Sequence, residues 1–276
     1  MGRLDYLHAK IALDRLVDPG INARTVRTEI ERMATAARDL AGHGASDIYR
    51  LAAVRNVIYE AGPWNDHRPF GYDHDDPYGQ NVNNKLLSSY LETRRGNCVS
   101  MPTLFLILAD RLELDVALSV APLHVFVRYR PTEGLPVNLE TTSGALPARE
   151  AWYREKLPMT DLAVATGAYL RSLPRKEGVA LMATTVMESL TDQARYQDAI
   201  NVAEVILEAH PLDVQTMVHQ GSVYGELLRT EFYTPYPTPD LIPPNLRARY
   251  RALDHMNQTL FARAEALGWT PTEVAP

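Results

Sequence analysis

Arg94-Arg95-Gly96-Asn97-Cys98-Val99-Ser100-Met101-Pro102-Thr103-Leu104-Phe105-Leu106-Ile107-Leu108 passes from charge to an almost unbroken apolar run within a few residues. The spacing of Leu104, Phe105, Ile107, Leu108 and Leu112 predicts a mostly buried helix over 99–112. Pro102 near its start is compatible with that, because a first-turn N–H has no intrahelical partner to lose. Cys98, the single cysteine of the chain, therefore stands at or beside a helix N-terminus. Upstream, Leu86 to Arg95 has the spacing of a short helix. Downstream come three strand-like runs, Val116 to Val120, His124 to Tyr129 and Val137 to Thr142, punctuated by Pro122, Pro131 and Gly134.

The flanks read as helices. Leu4, Leu7 and Ile11, then Val26, Ile30, Met33, Ala37 and Leu40, fall at helical steps, with Asp18-Pro19-Gly20 between them and Asn22 or Thr25 as a cap. A third helix is predicted through Ile48, Leu51, Ala52, Val54, Val57 and Ile58. Residues 62–84 turn to Pro, Gly, Asn, Asp and aromatics, which predicts a long loop, and long loops in compact proteins are often functional. Helical spacing returns from about Pro147. Arg195-Tyr196-Gln197-Asp198-Ala199-Ile200, leading to Pro211, with Gly221 and Tyr224 beyond, has the character of one ~34-residue helical hairpin repeat running into the next. Tyr233 to Pro244 is Pro-rich, a linker or a packed arm, and a last helix spans about Leu246 to Leu267.

A chain of 276 residues makes one large domain or two small ones, and 46% hydrophobic with 22% charged residues supplies a core without staples. The net charge of -6 argues against nucleic acid or an anionic membrane as the main partner. One cysteine leaves no internal disulfide and no four-cysteine zinc site. No run approaches the roughly 18 apolar residues of a membrane span. Met1 to Asp18 lacks the apolar stretch of a signal peptide, so a cytoplasmic protein with a reduced thiol is expected.

Cys98, His124 and Glu140 form the constellation that could carry chemistry. A thiolate is the nucleophile, and a helix N-terminus favours it. A histidine in reach can hold the thiolate and later protonate a leaving group, and a carboxylate on the far ring nitrogen orients that histidine. Antiparallel pairing of the second and third strand runs can bring His124 and Glu140 side by side. The same residues also admit a plainer reading: a buried apolar thiol, a hydrogen-bonded structural histidine and a solvated glutamate.

The run Leu91 to Pro102, then Leu114 with Val116, then Ala121-Pro122-Leu123-His124-Val125-Phe126-Val127-Arg128, resembles the transglutaminase-like superfamily, and more narrowly its SirB-type bacterial branch. Asn138-Leu139-Glu140-Thr141-Thr142-Ser143-Gly144 fits the third motif of that core, and the 195–224 segment fits the tetratricopeptide repeats that follow it there. The resemblance spans roughly residues 45 to 225. It implies an α+β fold with a papain-like core, in which a nucleophile helix packs on a small antiparallel sheet. It also implies Cys98 as nucleophile, His124 as base and Glu140 as orienting acid. Glu140 departs from the aspartate usual in the superfamily, and some members are binding modules without catalysis. The organisation expected is a core with a helical N-terminal region over 1–160 and a helical, repeat-like region with a C-terminal arm over 161–276. The activity expected is acyl transfer on an amide or ester of a peptide or protein, hydrolysis ahead of crosslinking, with the partner docked on the repeat-like helices. The other class of reading is a non-catalytic binding or scaffold module on the same fold.

Acyl transfer needs an oxyanion hole. The Cys98 backbone N–H is a natural first donor, and Gln80, Asn81, Asn83, Asn84 and Asn97 are candidates for a second. Trp64, Tyr72 and Tyr78 either line a substrate groove or anchor the loop. Arg94 and Arg95 read as a carboxylate clamp or as a helix C-terminal pair, with the second reading favoured for at least one of them. Arg128 shares a strand face with His124 and reads as a substrate contact or as a solvated strand end, with the second reading favoured. His67 and His74 with Asp66, Asp73, Asp75 and Asp76 match no zinc spacing, so neither metal nor cofactor is expected.

Overall fold

A computed structural model describes residues 3–271. The chain opens with α1 (Tyr6–Val17), α2 (Ala23–Ala41) and α3 (Asp47–Tyr59). Asn22 caps α2 by accepting the amides of Arg24 and Thr25, and Val26, Ile30, Met33, Ala34 and Ala37 bury the inner face of that helix. Ile48 departs from the expected apolar stripe: it lies in the first turn of α3, 64% exposed.

The 62–84 segment is tied down by short elements. A 3-10 turn (Pro63–Asn65) leads to β1 (Gly71–Tyr72), and a second turn (Val82–Lys85) leads to α4 (Leu87–Thr93). Next come β2 (Arg95–Gly96) and α5 (Ser100–Arg111). β1 and β2 pair in parallel, Gly71 with Arg95 and Tyr72 with Gly96. This two-residue pairing has no counterpart in the sequence pattern.

β3 (Val116–Ala121), β4 (His124–Tyr129), β5 (Val137–Glu140) and β6 (Leu146–Ala148) form an antiparallel sheet in chain order. The third strand ends earlier than its sequence suggests. Thr141–Ser143 is a 3-10 turn, because the Glu140 carboxylate accepts the Thr142 N–H and draws the backbone out of the ladder. Alternation along the strands divides the interior. Leu118, Val127, Tyr129 and Leu139 face α5 and the N-terminal helices, while Ala121 and Phe126 face the C-terminal helices. The fold is therefore α+β, a helix packed on a small antiparallel sheet.

The remainder is helical: α6 (Glu150–Lys156), α7 (Asp161–Ala165), α8 (Arg175–Met182), α9 (Thr184–Asp192), α10 (Tyr196–Ala209), α11 (Val214–Leu228) and α12 (Arg247–Ala266). From α9 onward, each helix packs on its predecessor in the chain. α8 and α9 also return to α1, with the Arg175 guanidinium 4.0 Å from the centre of the Tyr6 ring. The Pro-rich stretch between α11 and α12 is an arm rather than a free linker, since Ile242 is buried in the cluster that holds Phe232 and Leu253. Among the described residues, no helix is long and apolar enough to cross a membrane.

Candidate active site

Cys98 is set by its neighbours. The first helical hydrogen bond of α5 runs from the Met101 N–H to the Asn97 carbonyl, which makes Asn97 the effective cap. Asn97 Oδ1 accepts the amides of Val99 at 3.0 Å and Ser100 at 3.2 Å, and the Asn97 N–H donates to Ser100 Oγ at 3.1 Å. This reciprocal box holds Cys98 in the first turn, at the positive end of a buried helix. The Cys98 N–H has no acceptor among the described residues. Gly96 is required by close approach: a Cβ there would lie 2.5 Å from Ser100 Oγ and 2.7 Å from the Tyr90 ring. Gly96→Ala is expected to cost about 1–3 kcal/mol through overpacking. It should also slow Cys98 alkylation, so an unfolding curve and a labelling rate identical to wild type would refute this account of the turn.

His124 opens β4 after a two-residue turn, Pro122-Leu123, that pairs Ala121 with His124. Leu123 sits at a φ of 55°, an uncommon conformation for a branched residue, and is 62% exposed. Its carbonyl oxygen lies 3.8 Å from Cys98 Sγ. The His124 Nε2 is 2.7 Å from Glu140 Oε2, which leaves Nδ1 as the ring nitrogen for the thiol. Burial works against the imidazolium, but hydrogen bonds to Cys98 and Glu140, with their charges, push the His124 pKa up to about 9.

Glu140 is almost fully buried and has more partners than His124 alone. Thr142 donates its N–H (3.0 Å) and its hydroxyl (2.6 Å) to Oε1, and the Tyr153 hydroxyl donates to Oε2 at 3.0 Å. Burial alone would raise the carboxyl pKa. The bonds and charge from His124 and the two bonds from Thr142 overcome that and hold it below the usual carboxylate range. Burial and the Glu140 charge keep the Tyr59 and Tyr153 hydroxyls protonated.

A model of the transglutaminase-like superfamily matches residues 24–180. The chain belongs to this superfamily. It is similar to the protein SirB1 of Salmonella typhimurium and to that of Salmonella typhi, 25% identical in each case over 147 residues, which is 51% of this chain and 53% of the relative. The chain thus spans about half the length of the curated relatives it matches. No solved structure matches.

Within this transglutaminase-like core, Cys98, His124 and Glu140 converge, and the other candidates are spread around them. Asn97 is turned inward as the helix cap, with its Nδ2 buried beside Gly79 and without an acceptor. Gln80 and Asn83 are exposed, and their backbone N–H groups bond to Asp76 and Asn81. Asn84 bridges Asp73 and Asp76. Trp64 anchors the loop, donating from Nε1 to the carbonyls of Asn56 at 3.1 Å and Glu60 at 3.2 Å. Tyr78 is 80% exposed. Tyr72 is nearer Cys98: it pairs with Gly96, and burial followed by the charge of Cys98 raises its pKa.

Arg94 is neither a substrate clamp nor a solvated helix end. It reaches Asn65 O and Arg68 O, pairs with Asp66 at 2.9 Å and lies 5.4 Å from the centre of the Phe70 ring, fixing the loop to β2. Arg95 is exposed. Arg128 corrects the expectation of a solvated strand end. It shares the His124 face, as parity requires, but it is half-buried and bonds to Leu170 O, because the C-terminal segment covers that face. No cluster of three or more His, Cys, Asp or Glu suited to a metal occurs among the described residues.

Sequence reasoning missed Tyr153 and Thr142. Thr142 had a local signal, a hydroxyl residue two positions after a carboxylate, where side-chain-to-backbone bonds form readily. Tyr153 had none, since only the folding of α6 against β4 brings it to Glu140.

Proposed function

We propose that this protein performs cysteine-dependent acyl transfer on an amide or ester of a peptide or protein. The observation that carries the reading is a histidine held at 2.7 Å by a buried carboxylate, with Cys98 in the first turn of a buried helix and its sulfur 3.8 Å from the carbonyl of Leu123, the residue just before that histidine. The Cys98 sulfur attacks the carbonyl carbon, and the carbonyl π pair moves to oxygen. The unengaged Cys98 N–H is the natural donor to that oxyanion. As the pair returns, the bond to the leaving amine or alcohol breaks, and His124 gives its proton to the departing atom. Water then attacks the thioester carbon with His124 as base, releasing the acid and restoring the thiol. Glu140 keeps Nε2 protonated and the ring aligned throughout.

Hydrolysis is favoured over transamidation because water is always at hand and the sequence shows no dedicated amine pocket. A reduced thiol suits a cytoplasmic setting. The stacked helices α9 to α12 are the surface we assign to a peptide or protein partner, in the manner of helical repeats.

The test uses 4-nitrophenyl acetate, an activated ester that needs no knowledge of the substrate. An initial burst of nitrophenolate and an acetyl mass increment on the Cys98 peptide are expected. The increment should decay as the thioester hydrolyses and be absent in Cys98→Ala. No increment under conditions that acetylate a free thiol would leave the non-catalytic binding module as the better reading.

A further inference from the structure

We propose that Tyr153 is a positioning residue that fixes Glu140 and limits how strongly this carboxylate pulls on His124. The inference rests on the acyl-transfer reading for its purpose, but not for its physics. Glu140 Oε2 accepts from two donors, His124 Nε2 at 2.7 Å and the Tyr153 hydroxyl at 3.0 Å. The Tyr153 ring is fully buried, stacked on Phe126 at 4.1 Å between ring centres, and its centre lies 6.1 Å from that of His124. Phe126 and Tyr153 thus form an aromatic wall behind the imidazole, and the hydroxyl on that wall takes up part of the charge on the carboxylate oxygen it shares with His124.

The chemistry gives that arrangement a use. A histidine that serves as base in one half-reaction and acid in the other works best when neither form is held too tightly. A buried glutamate engaged only by His124 would hold the imidazolium hard and make it a reluctant proton donor. The Tyr153 hydroxyl offsets this, and the two Thr142 bonds on the opposite oxygen keep the longer glutamate side chain from swinging away. The other ionisable groups that face the pair are Cys98 from the start of α5, Tyr72 from β1 and Tyr59 from α3, with Arg55 near Tyr59. None of these stands among the hydrogen-bond partners of Glu140, and Thr142 bonds the opposite oxygen, so Tyr153 is the one donor that shares Oε2 with His124 among the described residues.

Tyr153→Phe keeps the ring and its stacking and removes only the hydroxyl. The readout is the titration midpoint of the His124 ring by NMR in the full chain, assigned among the eight histidines by comparison with His124→Gln. The midpoint is expected to rise by about half a pH unit or more, because the carboxylate loses a donor and its charge falls more fully on the imidazolium. A merely structural role would lower the melting temperature and leave the midpoint where it was; that result, or a downward shift, overturns the proposal. A second pair of variants tests the route. In a Glu140→Gln background, adding Tyr153→Phe should move the midpoint no further, and a shift that persists there also overturns it. Cys98 alkylation reports separately on the acyl-transfer reading. A moved midpoint with an inert thiol keeps this inference and sinks that reading, and a reactive thiol with an unmoved midpoint does the reverse.

Discussion

Replacing His124 with alanine is expected to slow iodoacetamide alkylation of Cys98 at neutral pH by about tenfold or more. A free cysteine at pH 7 is only a few per cent thiolate, so an imidazolium held against the sulfur has room to raise the reactive fraction by roughly thirtyfold at most. His124 is placed to do this. Its Nε2 is committed to Glu140, its pKa is pushed up to about 9, and it therefore remains protonated through neutral pH. The sign of the pH dependence follows. The gap between wild type and His124→Ala should be widest below pH 8.5 and close as pH rises toward about 9, where the imidazolium loses its proton and an unassisted thiol ionises anyway. Because the chain has one cysteine, the labelling rate reports on this site alone. Equal rates in the two proteins at pH 7 would mean that the histidine does not activate the thiol, and the catalytic reading would fail with it.

The helix that begins at Cys98 was legible because a buried helix advertises itself. Leu104, Phe105, Ile107 and Leu108 leave little choice of element, and the position of Cys98 follows from where they begin. His124 and Glu140 were legible as strand residues, and their meeting required only antiparallel pairing. What could not be read are contacts that depend on segments far apart in the chain. Arg94 looks like a helix-end charge until the 62–84 segment folds back and offers it the carbonyls of Asn65 and Arg68. That segment reads as loose polar chain, yet Asp76, Asn81 and Asn84 knit it together, with Asp76 accepting the Gln80 and Asn81 amides. Gly71–Tyr72 is too short for alternation to show, and β6 carries an exposed Leu146 and a proline, both of which speak against a strand. Arg128 illustrates the general limit. Strand parity gave its face correctly, but whether that face meets water or protein is set by residues 170–173, which run along the outer edge of β3.

The largest stability effect is expected far from the thiol, at Lys10. Its ammonium is fully buried, 2.8 Å from Asp14 Oδ1 one turn along α1 and 2.9 Å from the Lys85 carbonyl. Asp14 uses its other oxygen to accept the Leu87 N–H at 2.8 Å, at the first turn of α4. The pair thus pins α1 to the turn that launches α4, β2 and then Cys98. Burying two charges is expensive, so the pair is weak grounds for high stability by itself, but removing one partner strands the other without water or counter-ion. Lys10→Met, similar in length and apolar, is expected to destabilise the fold by about 3–5 kcal/mol. In a chain of this size that is a fall in melting temperature of the order of 10 °C. Adding Asp14→Leu should recover part of the loss, since the stranded carboxylate goes, while the Leu87 amide loses its acceptor and keeps the recovery incomplete. The measurement is denaturant unfolding of the two single variants and the double variant. Losses that simply add would show that Lys10 and Asp14 act independently, and the pin would then be a coincidence of packing. A coupling of 1 kcal/mol or more (about the size expected for contacting buried charges) would establish that Lys10 and Asp14 hold in place the turn from which Cys98 is presented.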